Sequence, residues 1–287
     1  MPSFSVTDWR SEVRSYWGGE AEPLMSQTNP ISLQCKLARR ALLGAPLLVI
    51  TKAIAQPPRA LSSLRQLGVT ELENRTHHVQ GIVVDRGALW VSSVGDGEGF
   101  LHKFELTTGK HLATMPVHDG KRFHVGGIDR GGNSLWVPVA EYRKNSASTV
   151  LQVDMRTLAI RGRFEVDDHI GCVAVLEDRL IGGNWDSRQF FSWDQTGKLI
   201  EKRANPHAVA YQDLKFHDGV LIASGNLSRE EGATDWLDPA TLELRRRIHC
   251  GKTDRGVRYT NEGMDVADGK LYLLPEDGPS RLFQFQL

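Results

Sequence analysis

The sequence has little cysteine, no excess charge of either sign and no apolar run long enough for a membrane span. Its 3 cysteines are too few for a disulfide scaffold, and no C-x-x-C pair is present. Lysine plus arginine equals aspartate plus glutamate at 35 each, so no net field favours nucleic acid or an anionic membrane as a partner. The P-loop, the dinucleotide fingerprint and the nucleophile elbow are also missing. We therefore predict a soluble globular protein without an organic cofactor.

The N-terminal segment has the order of a secretory signal. Basic residues from Lys36 precede an apolar run over residues 41–50, and Ala53-Ile54-Ala55 then follows the A-x-A pattern of a cleavage site. The Arg39-Arg40 pair resembles the twin-arginine type of signal. A short amphipathic helix of a cytosolic protein is the alternative interpretation.

These features predict a domain boundary near residue 55. Residues 1–55 would be an N-terminal extension and signal peptide, with Met25 as an alternative start, and residues 56–287 the mature domain. The mature protein is then expected in the periplasm or outside the cell, with no membrane span, as a monomer.

The mature domain is built from a repeat. The motifs "HHVQGI", "HVGGI" and "HIGCV" begin at His77, His124 and His169. A second apolar strand follows in each of five units, and it reads "ALWVSSV", "SLWVPVA", "RLIGGNW", "VLIASGN" and "KLYLLPE". A period of about 40–50 residues with several short strands is typical of a propeller. We predict an all-β, five-bladed β-propeller.

The last unit indicates how the ring closes. It ends at Leu287 after its third strand, "SRLFQFQL", while "RQLGVTELE" from Arg65 alternates as a fourth strand should. Pairing the two ends would leave only short protected edges. The N-terminal strand is therefore predicted to complete the last blade.

Inner strands of a propeller begin on one face, so the repeated histidines should surround the tunnel mouth. His78, His124 and His169 take equivalent positions, and Ala210 and Thr260 take the other two. Imidazole is the commonest transition-metal ligand. We predict that the three histidines share one divalent metal ion and belong to a catalytic site.

A second set of candidates surrounds these histidines. Two residues after each histidine position, the glycines at 126 and 171 are expected to leave a hollow, and Gln80, Gln212 and Glu262 to form a polar floor. Glu262 or a non-ligating histidine would move the proton. The loops after the second strands add three arginines, Arg143, Arg188 and Arg229, near Glu141, Asn184, Asn226 and Glu276. Guanidinium groups suit an anionic ligand, although salt bridges between blades are the alternative role.

Several motifs resemble a known family. "HVQGI", "HVGGID", "WVPVAEYR", "DHIG", "NWDSRQFF", "YQDLKF" and "LPEDG" are similar to an uncharacterised bacterial family of exported β-propellers, defined as a domain of unknown function. The resemblance runs from Thr76 to the C-terminus and implies the fold and export, but no activity. Cys172 departs from the second glycine expected there.

Two functions follow from these residues. The first is a metal-dependent lyase or hydrolase acting on an anionic small molecule or saccharide. The alternative is a propeller that binds such a ligand without chemistry, or one with a purely structural or interaction role.

Overall fold

The computed structural model describes residues 58–74 and 76–287, and the regular secondary structure of these residues is almost entirely β-strand. Two strands precede the first blade: β1 (Arg59–Ala60) and β2 (Gln66–Glu71). Blades 1 and 2 contain β3 (His78–Asp85), β4 (Ala88–Gly95), β5 (Glu98–Glu105) and β6 (His111–Pro116), then β7 (His124–Val125), β8 (Asp129–Gly131), β9 (Ser134–Ala140), β10 (Ser148–Asp154) and β11 (Ile160–Val166). Blade 3 contains β12 (Ile170–Val175), β13 (Leu180–Asn184), β14 (Gln189–Trp193) and β15 (Leu199–Ala204). Blades 4 and 5 contain β16 (Ala210–His217), β17 (Val220–Asn226), β18 (Gly232–Leu237) and β19 (Leu244–Cys250), then β20 (Glu262–Ala267), β21 (Lys270–Pro275) and β22 (Arg281–Gln286).

The five sheets form a closed five-bladed propeller, as predicted. Blade 5 has the strand order β2-β22-β21-β20, with β2 on its outer edge. Gln66 lies opposite Phe285 and Glu71 opposite Arg281 in an antiparallel ladder. The predicted closure by the N-terminal strand is therefore confirmed.

A feature that the sequence did not indicate is the path of the chain before β2. Strand β1 pairs in parallel with β19, the outer strand of blade 4. Leu61 and Leu64 are then buried with Ile248 of blade 4 and Met264 of blade 5. The segment thus crosses from one blade to the next before it completes the ring.

The core lies between blades, because both faces of a middle strand pack on neighbours. In β21 the run Leu271-Tyr272-Leu273-Leu274 is fully buried, which is why this strand reads as continuously apolar rather than alternating. Outer strands differ, and β6 alternates half-buried and exposed residues along its length. The repeat is visible in the sequence because each blade needs the same inner burial.

A buried charge network fills the centre of the ring. Lys215 of β16 is 2% exposed and donates to Asp213 Oδ1 at 2.6 Å and to Ile128 O at 2.7 Å. Asp213 also accepts the backbone N–H groups of Ile82 and Met264, at 3.1 and 3.0 Å. The pair therefore joins blades 1, 2, 4 and 5.

Two further carboxyls extend this network. Asp129 accepts the N–H of Val175 at 2.8 Å, and Asp265 accepts the N–H of Val84 at 2.6 Å. Burial raises the pKa of Asp129 to about 7 and the pKa values of Asp213 and Asp265 to about 6, while the charge of Lys215 opposes each shift. The positive charge of Lys215 therefore offsets part of the cost of burying the three carboxylates.

Three other predictions concern the signal segment, membrane spans and the cysteines. The predicted signal segment, residues 1–55, lies outside the described residues. Within residues 58–74 and 76–287, no helix has the length and hydropathy that a membrane span requires. Cys172 and Cys250 are both buried free thiols, so neither forms the disulfide that their number also argued against.

Candidate functional site

The inner strands are irregular at the same level of the ring, and this sets the shape of the tunnel mouth. The register shifts between Val79 and Gly81, between Ile170 and Cys172, and between Tyr211 and Asp213. Each shift leaves one extra residue, namely Gln80, Gly171 or Gln212. Such bulges re-aim neighbouring side chains, so the strict alternation assumed from the sequence does not hold here.

The inner strand of blade 2 is interrupted rather than bulged. Between β7 and β8, the Gly127 N–H donates to Gly171 O at 2.8 Å, and the Val173 N–H donates to Gly127 O at 3.1 Å. A Cβ on Gly126 would lie 2.1 Å from Gly171 O. The expected hollow is therefore wrong at Gly126, because the glycines let two backbones approach each other and the space is filled.

His124 and His169 form a hydrogen-bonded pair. His124 Nδ1 lies 3.2 Å from His169 Nε2, and His169 Nδ1 lies 3.0 Å from the Arg143 carbonyl oxygen. A carbonyl oxygen only accepts, so His169 carries its proton on Nδ1 and its Nε2 must accept from His124 Nδ1–H. In the neutral form, His124 Nε2 is then left with a lone pair.

Burial keeps both of these rings neutral. It lowers the pKa of His124 well below its usual value, with the neighbouring His169 adding to the shift, and it lowers the pKa of His169 to about 4. At neutral pH both rings are therefore uncharged, and the Arg143 carbonyl holds the pair in one tautomer.

Aromatic rings enclose the histidine pair. The ring of Tyr142 lies 4.7 Å from that of His124, and the ring of Trp185 lies 4.6 Å from that of His169. Tyr142 is 47% exposed, so a ligand could reach its face. Burial and the charges of Glu262 and Glu276 raise the pKa of Tyr142, which places this aromatic wall beside the acidic side of the mouth.

His78 stands with carboxylates instead of with the other two histidines. Its Nδ1 lies 2.9 Å from Glu276 Oε1, but this contact does not have the geometry of a hydrogen bond, and Nδ1 has no other hydrogen-bond partner among the described residues. One ligand atom each from His78, Glu262 and Glu276 lies within 4.8 Å of the others. These three residues could hold a metal ion.

The electrostatics of this group favour a cation. Burial raises the pKa of Glu262 to about 7, with His78 opposing the shift and Glu276 adding to it. Burial lowers the pKa of His78, but the contacts with Glu276 and Glu262 outweigh it and the net shift is upward. Two crowded carboxylates beside one imidazole offer a mixed nitrogen and oxygen ligand set that suits a divalent ion.

The structure thus divides the predicted metal set. His78 has two carboxylate neighbours that could share a cation with it, whereas the nitrogens joining His124 and His169 are used in their own hydrogen bond. A site shared by all three histidines stays a prediction. Glu276 was placed near the mouth by the sequence, but its partnership with His78 was missed because it depends on loop geometry.

Some predicted ligand-binding residues have structural partners. Arg143 Nε lies 2.8 Å from Glu141 Oε2, in its own loop. Asn184 Oδ1 accepts the N–H of Gln189 at 2.9 Å, which fixes the start of β14. Arg143, Glu141 and Asn184 therefore brace loops around the mouth.

The other predicted residues keep their polar groups available. Gln80 is buried at the mouth, and Gln212 Nε2 makes only a long contact of 3.4 Å with Ala210 O. Arg188 and Arg229 are exposed, and in the part of the chain that the structure describes their guanidinium groups have no ion-pair partner. Binding by these residues stays a prediction.

The sequence analysis missed the buried charge network and Arg258. The charged network has a visible signal, since Asp129, Lys215 and Asp265 stand five residues after the mouth position in three blades. Arg258 has no repeated counterpart, yet its Nε donates to Asn226 Oδ1 at 2.8 Å. A residue that occurs in one blade alone is hidden from a search for periodicity.

The histidines of metal-free protein should titrate differently from one another. We expect His78 to protonate above its ordinary pKa of about 6.5 and His169 at about 4, as measured by NMR of the imidazole nitrogens. Because the folded pKa values of His124 and His169 lie below the unfolded ones, the stability they contribute is present above about pH 6.5 and is lost as the pH falls toward 4. A His169 ring that titrates between pH 6 and 7 would contradict this arrangement.

Comparisons with known proteins agree with the fold. Residues 54–218 match the model of a family of unknown function, DUF6454, and no curated protein matches the sequence. Among solved structures, glutaminyl cyclase from Myxococcus xanthus is 15% identical with a TM-score of 0.62, over 80% of this chain and 97% of that chain. The Pan2 WD40 domain from Neurospora crassa is 13% identical with a TM-score of 0.45, over 73% of this chain and 61% of that chain. The first likeness supports the propeller fold, whereas the second is too weak to support a conclusion.

Proposed function

The chain belongs to the DUF6454 family, whose function is unknown, and we propose from its tunnel mouth that it is a divalent-cation-dependent lyase or hydrolase. Its substrate is an anionic small molecule or a saccharide. The observation that carries this proposal is the meeting of His78, Glu262 and Glu276 ligand atoms within 4.8 Å of one another.

The cost of burying acidic groups supports the cation. Glu262 is only 6% exposed, and Glu276 adds a second negative charge beside it, so both carboxylates cannot be ionised there cheaply. A divalent ion would neutralise both carboxylates. His78 Nδ1, which has no hydrogen-bond partner among the described residues, would be available as a further ligand. Binding of a metal ion would therefore remove the repulsion between the two carboxylates.

The residues of the chain supply the remaining parts of the chemistry. A bound cation would polarise a carbonyl or carboxylate oxygen of the substrate. His124 accepts the substrate proton at Nε2, because the bond from its Nδ1–H to His169 keeps that lone pair unprotonated. The wall of Tyr142 and Trp185 offers aromatic faces on which a sugar or other ring would pack.

Metal content separates this centre from the three-histidine site. Protein produced without a histidine tag and equilibrated with divalent metals should contain about one ion per chain, measured by elemental analysis. His78→Ala, Glu262→Gln and Glu276→Gln should each lose most of that ion, because two remaining ligands hold a labile metal poorly.

His124→Ala and His169→Ala serve as matched controls, and both should retain the ion. Circular dichroism on all five variants reports whether the propeller is intact. Loss of metal from the two control variants would favour the three-histidine site instead. A wild-type chain that binds no divalent metal would overturn the proposal.

A further inference from the structure

A cleft rich in positive charge lies on the same face as Glu262, between blades 4 and 5. It is lined by Arg229, Lys252, Gly256, Val257, Arg258 and Asn261. Asn261 directly precedes Glu262 in the chain, and the charge of Arg258 is felt by the Glu262 carboxyl. The cleft therefore adjoins the proposed centre.

The positive charges in this cleft exceed the negative ones that pair with them. Lys252 Nζ lies 2.6 Å from Glu230, whose carboxylate is 80% exposed and so binds it weakly. Arg229 has no ion-pair partner within residues 58–74 and 76–287. The guanidinium of Arg258 hydrogen-bonds only to neutral acceptors, and the carboxylates of Glu262 and Glu230 act on its charge without forming an ion pair with it.

Arg258 also makes the cleft rigid. It donates to the carbonyl oxygens of Ser228 and Arg229 at 3.1 and 2.9 Å, which fixes the loop between β17 and β18. It reaches Asn226 at the end of β17 and Asn261 before β20, at 2.8 and 3.3 Å. The backbone that carries Arg229 is thus held in place before any ligand arrives, which lowers the ordering cost of binding.

We propose that this cleft is the subsite for an oxyanion group of the ligand, a carboxylate, sulfate or phosphate, held chiefly by Arg229 and Lys252. Arginine offers a planar fork of donors that matches such groups, and lysine adds a compact charge. The proposal deepens the proposed function, on which it rests for the reaction, by requiring that the substrate carry an acidic group. Binding of the anion itself does not depend on a metal.

The cleft distinguishes Arg229 from the other two rim arginines. Arg143 is paired with Glu141 at 2.8 Å. Arg188 lines a different cleft, beside Asp186 and the loop of Asn205. Neither of these two arginines lines the cleft of Lys252 and Arg258, so Arg229 is the rim arginine that this cleft places beside them.

Sulfate binding to chelator-treated protein at low ionic strength tests the subsite, because no metal is then present to hold the anion. Isothermal titration calorimetry should give weaker sulfate binding by about tenfold or more for Arg229→Gln and for Lys252→Gln, the size expected for loss of one charge-assisted hydrogen bond. Arg156→Gln removes one exposed arginine from the turn between β10 and β11, and this variant should bind sulfate as the wild type does.

Metal content is measured on the same samples after reloading, and Arg229→Gln should keep its ion. This separates failure of the subsite from failure of the metal centre. Absence of sulfate binding to the wild type would overturn the subsite, as would an equal loss in the Arg156→Gln control.

Discussion

Replacing Lys215 by methionine should lower the free energy of unfolding by about 3–5 kcal/mol, the range for removing one partner of a buried ion pair. Methionine fills a similar volume but leaves Asp213 buried without its cation, 0% exposed. Asp129 and Asp265 lose the same favourable charge. Urea unfolding at pH 7.5 measures the loss, and Lys110→Met on the exposed surface should change stability little.

The loss of stability in Lys215→Met should depend on pH. The folded pKa values of the three carboxyls are raised, so the stability that their neutral forms contribute is present below the unfolded value near 4 and is lost as the pH rises through 6 to 7. Without Lys215 these pKa values rise further, and the variant should regain stability relative to the wild type at pH 5. An equal loss at pH 5 and pH 7.5 would show that packing, not charge, is responsible.

Removing the closing strand should unfold the domain. A chain that begins at Asn74 lacks β2, so β22 exposes an unpaired edge and the buried Leu72 is lost. A chain that begins at Pro58 should keep a cooperative thermal transition, measured by circular dichroism. One that begins at Arg65 loses Leu61 and Leu64, and it should melt cooperatively but at a lower temperature. A soluble, cooperatively melting chain that starts at Asn74 would mean that the ring does not need β2.

The five-bladed ring could be predicted from the sequence because the burial pattern that produces each blade repeats along the chain. Each blade buries the same inner strands, so "ALWVSSV" and "KLYLLPE" carry the same pattern, and the missing fourth strand of blade 5 had one candidate. The pairing of β1 with β19 could not be predicted, because a two-residue parallel contact leaves no periodic pattern. The burial of Leu61 and Leu64 stabilises this pairing. Two leucines in a short segment do not indicate which blade they pack against.

The site was predicted only as a set of equivalent positions. Equivalence placed His78, His124 and His169 at one mouth, but a sequence does not state which way each ring turns. The bulge at Gln80 and the backbone contact at Gly126 alter the local geometry. Two histidines thus face each other, and the third faces Glu276. Side-chain direction follows from contacts between blades, which depend on residues far apart in the chain.

The closure of blade 5 also constrains when the protein can become native. Gln66 of β2 pairs with Phe285 of β22. Strand β2 is therefore synthesised before blade 1 but cannot pair until β22 of blade 5 has been made. A ribosome that has released only four blades holds an open arc with β2 still unpaired. Such long-range pairing slows folding and prolongs exposure of sheet edges. Synthesis of β22 therefore decides whether the nascent chain closes its ring or becomes a substrate for chaperones.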